Sequence, residues 1–212
     1  MKRYGRDRSR VLGIFKFKWL CYMAVAFMLA GCFGLGGGST RVDNATYSSL
    51  SVVDSSLVSP VSLKKISVRI DDVNIPVFLD RRELVVEDSF GQGQRMKILE
   101  EHNWIEALGP MFARTLRGDL EAYLPNALIS SADMYVDNAD YRVSVFVDRF
   151  VGSLGGRVSV DAKVVIRNSD GKIIVQDGFK YFVDSGEKYL GYVSALDKCV
   201  AKLAEFVAEK LK

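Results

Sequence analysis

Leu29-Ala30-Gly31-Cys32 is the stretch whose residue types and spacing most directly specify chemistry. A long apolar residue followed by two small ones lets a peptidase cleft close on the bond before the cysteine. The thiol can then carry a diacylglycerol and begin a membrane-held mature protein. Upstream, Lys2, Arg3, Arg6, Arg8, Arg10, Lys16 and Lys18 form a positive flank, and Trp19 to Leu29 an apolar run of signal-peptide length. That run is shorter than the roughly 20 apolar residues of a membrane span. An uncleaved anchor lengthened by residues 11–17 would have to bury Lys16 and Lys18, at roughly 3 kcal/mol each near a bilayer centre. Residues 1–31 therefore read as a lipoprotein signal and Cys32 as the lipidation site. Phe33 stands where an aspartate would mark inner-membrane retention, which favours the outer membrane.

Other chemistry finds little support. His102 is the only histidine, and neither Gly-x-Ser-x-Gly nor a papain-type cysteine environment occurs, so a nucleophile would lack its base. One histidine and one remaining cysteine, Cys199, do not make a zinc set, and no metal or cofactor is expected. Asp71-Asp72 and Asp137-Asn138-Asp140 read as solvated loop acids, the latter without the glycine and closing glutamate of a calcium loop. Cys199 reads as a small buried residue rather than an intermolecular bridge. Removing residues 1–31 takes away seven basic side chains and one acidic one, leaving 22 against 25, a balance of −3. That balance gives no basic face for nucleic acid.

The elements that must carry any site follow from periodicity. Residues 32–45 are Gly/Ser-rich and read as a flexible tether, with one domain over 46–212. Short strands are expected over 47–53, 63–73, 83–87 and 95–99, with a break at 76–81 and a turn at 91–94. Residues 103–124 have helical spacing, with a capping box from Asn103 and Glu106, and Pro110 either kinking the helix or moving its start to Gly109. A three-strand meander is expected over 141–150, 158–166 and 173–183, with a hairpin turn at 168–171 and a bulge at Gly178. A final helix over 189–211, capped by Asp184 and Glu187, buries Tyr189, Leu190, Val193, Leu196, Val200, Leu203, Phe206, Val207 and Leu211. Two amphipathic helices and these strands make a compact α/β sandwich with a mixed sheet. Trp104 fits either a partner contact or core packing, and core packing is preferred.

Several segments together resemble the PqiC/YmbA-type lipoproteins, auxiliary components of ABC-type transport systems. They are the Cys32 lipobox, Tyr47-Ser48-Ser49-Leu50, Val73-Asn74-Ile75-Pro76-Val77-Phe78-Leu79-Asp80-Arg81, Asn103-Trp104-Ile105-Glu106-Ala107-Leu108, the strand ending in Arg149-Phe150, and the closing helix with Tyr192, Ala195 and Leu196. Asn103 replaces an arginine of the family pattern and Ala107 a proline. The resemblance implies a mixed α/β sandwich with no catalytic residues. It also implies a place beside an MCE-domain protein that conducts lipid between membranes, powered by an inner-membrane ABC permease and ATPase. The expected role is non-catalytic docking at the periplasmic face of the outer membrane, with Pro76, Phe78, Leu79 and Trp104 as contact positions and a homo-oligomer compatible with it. The alternative class is a lipoprotein activator of a peptidoglycan synthase. An envelope hydrolase is disfavoured by the single histidine.

Overall fold

The computed structural model describes residues 45–88, 95–132, 134 and 138–212. The signal, Cys32, most of the tether, the 91–94 turn and Asp137 lie outside the described residues. Residues Asn44–Lys212 form one compact unit. The chain runs β1 (Thr46–Ser48), β2 (Ser67–Asn74), β3 (Glu83–Asp88), β4 (Arg95–Trp104), α1 (Leu108–Tyr123), β5 (Leu128–Ser131), β6 (Tyr141–Gly152), β7 (Arg157–Asn168), β8 (Ile173–Asp184) and α2 (Tyr189–Lys210). The strands form two sheets, β1-β4-β3 and β5-β2-β6-β7-β8. The expected fold, two helices on mixed sheet, is what the chain adopts.

Both helices lie on one face of the five-stranded sheet, α1 over β2 and β5, α2 over β7 and β8, and they pack on each other. Strict alternation builds that face. Val143, Val145 and Val147 on β6 and Val158, Val160, Ala162, Val164 and Ile166 on β7 are all buried. Against them α1 sets Met111, Phe112, Leu116 and Leu120, and α2 sets Leu196, Val200, Leu203 and Val207. Phe112 meets Phe150 edge to face at 4.9 Å. Cys199 is buried in this core, and burial pushes its thiol up to about 12, so it packs as an inert small residue.

Several expectations change, beginning with the strands expected over 47–53 and 63–73, which run only over Thr46–Ser48 and Ser67–Asn74. α1 begins at Leu108, and neither Asn103 nor Glu106 caps it, because β4 runs on to Trp104 and holds Asn103 in the ladder. α2 has Lys188 before it and no side-chain cap, since Asp184 still belongs to β8, opposite Arg157. Gly178 pairs in register with Lys163, and the irregularity falls at Ile166/Arg167. Leu190 is exposed, projecting from the first turn of α2 before the helix meets the sheet. β5 went unread, because four residues directly after a helix stop are too few to show alternation.

The two sheets are joined at buried Tyr192 of α2. Its hydroxyl accepts from the Gly152 N–H (3.1 Å) at the end of β6 and donates to the Val85 carbonyl (2.9 Å) of β3. Nearby, Arg149 of β6 forms an ion pair with Glu87 of β3 and donates to Ser159 Oγ at 2.6 Å.

Candidate functional site

Three of the four residues read as contacts lie in one turn after β2, and the fourth, Trp104, ends the strand that this turn meets. After β2, Pro76 starts a tight turn in which the Leu79 N–H bonds the Pro76 carbonyl (2.8 Å). The turn then meets the end of β4, where the Trp104 N–H bonds the Arg82 carbonyl (2.6 Å). Asp80 fixes the turn to the start of α1, its Oδ1 accepting from the Gly109 N–H at 2.8 Å. A carboxylate there satisfies an otherwise free helix N–H and meets the positive end of the dipole. Asp80 therefore does the work expected of Asn103, from 29 positions upstream. No local pattern could have revealed it.

The four then separate by depth. Leu79 and Trp104 are each only 2% exposed and belong to the core, while Phe78 is exposed and Pro76 half-buried. Trp104 thus packs, as preferred. Val77, which sequence reading did not single out, is the most exposed residue of the turn at 90%. Ile105, next to the buried tryptophan, is also exposed, as is Tyr47 of β1. β1 pairs in parallel with β4, Ser48 opposite Trp104, so the chain enters this part of the fold alongside the same strand. The result is an exposed apolar turn on a buried base.

The segment after β1 is a strap across the two helices. The Leu50 N–H lies 3.3 Å from Met111 Sδ, the Ser51 N–H donates to Asp197 Oδ1 (2.9 Å) and the Val53 N–H to Asp119 Oδ1 (2.7 Å). Val52 fits where α1 has Gly118, and a Cβ at that glycine would come 2.6 Å from Val52 Cγ2. Asp119 is buried, and its Oδ2 has no hydrogen-bond partner among the described residues. Burial pushes its carboxyl up to about 7 and that of Asp197 up to about 6, with the Asp197 charge also raising Asp119. Among the described residues these are the acids whose protonation the fold perturbs most, and both hold the strap.

Between α1 and the edge of β2 lies a groove of about 390 Å³, lined by Ile70, Val73, Pro110, Arg114, Arg117 and Ala132 among others. Arg114 in it is engaged with Glu106. Among the described residues no three histidine, cysteine or acidic side chains cluster as a metal site, and no helix is long and apolar enough to cross a membrane. His102 sits on β4 opposite Thr46, its ring against Tyr189 with centroids 3.4 Å apart.

A family profile described as ABC-type transport auxiliary lipoprotein component matches residues 49–208. No curated protein sequence matches the chain significantly. Among solved structures, the chain is similar to an uncharacterized protein at TM-score 0.65 and 17% identity, covering 79% of this chain and 99% of that one. It is similar to protein XCC0632 from Xanthomonas campestris, of family DUF330, at TM-score 0.63 and 12% identity, covering 79% and 94%. A PelC dodecamer from Paraburkholderia phytofirmans aligns at TM-score 0.40 and 13% identity, covering 69% and 94%.

Proposed function

The chain belongs to the family of ABC-type transport auxiliary lipoprotein components, and from that premise we propose that it is the outer-membrane docking component of an MCE-type lipid transport system. In this reading Cys32 carries the acyl chains, residues 32–45 are the tether, and the domain is non-catalytic. The permease and ATPase at the inner membrane supply the energy, and an MCE-domain protein is the direct partner. An acyl anchor and a short tether raise the local concentration of the domain at its membrane, so weak docking suffices.

The observation that carries the reading is the clamped apolar turn at Pro76–Leu79. Val77 and Phe78 stand out from a base fixed by Asp80, Arg82 and the start of α1. A rigid exposed apolar pair is suited to fill a pocket at low ordering cost.

Photocrosslinking from positions 77 and 78 in living cells tests it. The expected adduct is an MCE-domain protein, lost when the partner is deleted. Crosslinks to a penicillin-binding protein would favour the synthase-activator role and overturn the transport reading of this turn. Absence of any specific adduct from either position would overturn the turn as the contact.

A further inference from the structure

The face of the five-stranded sheet turned away from the helices carries its charges in a telling order. Toward one end and the middle, cations and acids alternate across the strands. Lys180 on β8 lies 2.8 Å from Asp161 on β7, Arg157 on β7 3.7 Å from Asp184 on β8, and Lys163 on β7 4.0 Å from Asp148 on β6. These obey the rule that opposite charges suit facing positions in a sheet.

At the other end the rule is broken. Arg69 of β2 pairs with Arg142 of β6, and Arg142 with Arg167 of β7, so three arginines occupy one row across three neighbouring strands. Alternation puts all three on the outer face, because their row-mates one step along, Ile70, Val143 and Ile166, are buried beneath the helices. Directly opposed like charges are destabilising, with Cβ atoms only about 5 Å apart. Two acids stand near. Asp71 takes Arg69 at 2.9 Å, and exposed Asp72 lies one register step along, opposite Ser144. Arg167 leans on the buried Ser144, Nη1 to Oγ 3.5 Å. Arg142 is exposed and, among the described residues, has no ion-pair or hydrogen-bond partner. Arg142 is the exposed member of the row, whereas Arg69 and Arg167 are half-buried beside it.

We propose that Arg142 and Arg167, with Arg69 beside them, form a binding site for a phosphoryl oxyanion. Guanidinium groups present paired N–H donors that match phosphate oxygens, and two of them on adjacent strands grip one group from two sides. The bound anion would supply the missing negative partner of the row, as Asp161 does for Lys180. The phosphoryl group could belong to free phosphate or to a lipid headgroup, and the chemistry of recognition is the same. This site is independent of the docking turn at Val77 and Phe78.

The test uses the full chain purified in neutral detergent, with arginine side-chain N–H resonances as the readout. Inorganic phosphate and dihexanoyl phosphatidylglycerol below its micelle concentration are titrated separately. Both are expected to shift the Arg142 and Arg167 signals, and R142Q/R167Q to weaken binding by about 10-fold or more. The paired-charge control K163Q/K180Q is expected to bind as the parent does. Tighter binding of the phospholipid than of phosphate would identify a headgroup as the source, and equal binding a free phosphate, each supporting the site. The thermal midpoint of R142Q/R167Q should stay level or rise, because repulsion is relieved, whereas arginines serving only structure would lower it. No shift with either probe, or equal weakening in the control, overturns the proposal.

Discussion

Single side chains set much of the behaviour of this domain. Asp119 is held neutral by burial to about pH 7, against an ordinary value of 3.8. Between those values the folded protein keeps a proton that the unfolded chain has released. The stabilisation is therefore complete below about pH 4 and is lost as pH rises to about 7. We expect the thermal midpoint to be higher at pH 5 than at pH 8, with D119N flattening most of that slope by a few kcal/mol at order of magnitude. The amide keeps an acceptor for the Val53 N–H, so calorimetry at the two pH values separates charge from contact. Asp197 acts in the same direction. A second residue-scale prediction concerns Asp80. D80A should cost about 1 kcal/mol in urea unfolding, the usual worth of a helix-start partner, and D80N much less. Asp80 was legible only as part of a turn, because the N–H that it serves is 29 residues away.

At the scale of elements, the strap and the sheet junction depend on small features of α1 and α2. G118A should gain up to roughly 1 kcal/mol of helix propensity and lose more through collision with Val52. Hydrogen exchange should show faster opening of residues 50–53 with α1 intact, and V52A in the same chain should restore protection. Y192F should lower stability by roughly 1–3 kcal/mol, because the Gly152 N–H and the Val85 carbonyl each lose a buried partner. Periodicity disclosed the long elements well. The apolar stripes of α1 and α2 and the alternation of β6 and β7 lie within one segment each, and the buried residues follow them closely, while the apolar positions of β8 reach at most half-burial. What stayed hidden depends on distant chain. Four-residue β5 gains its identity only from pairing with β2. The division into two sheets depends on β3 and β4 pairing with each other and with β1, while β2 pairs with the distant β5 and β6. The residues proposed for docking were half legible for the same reason. Their sequence marked a turn, but depth was decided by where β4 and α1 pack, which sent Leu79 and Trp104 inward and left Val77 out.

For the whole molecule, the proposed lipid anchor at Cys32 makes anchoring and folding separate matters. The domain has its own continuous core, whose described members run from Leu50 to Leu211. C32S should therefore move the protein from the membrane pellet to the soluble fraction while leaving its unfolding midpoint unchanged. Recovery of C32S in the pellet would show that something other than Cys32 retains it.

The parallel pairing of Thr46–Ser48 with His102–Trp104 has a mechanical side. A pull transmitted from a membrane through the preceding chain runs along that strand, so it slides the ladder and loads its bonds together instead of opening them one by one. Should that ladder yield, the next resistance comes from two backbone amides gripped by Asp197 and Asp119. The first stretch of chain thus works as a graded brake, and acidity sets the grip of its second stage.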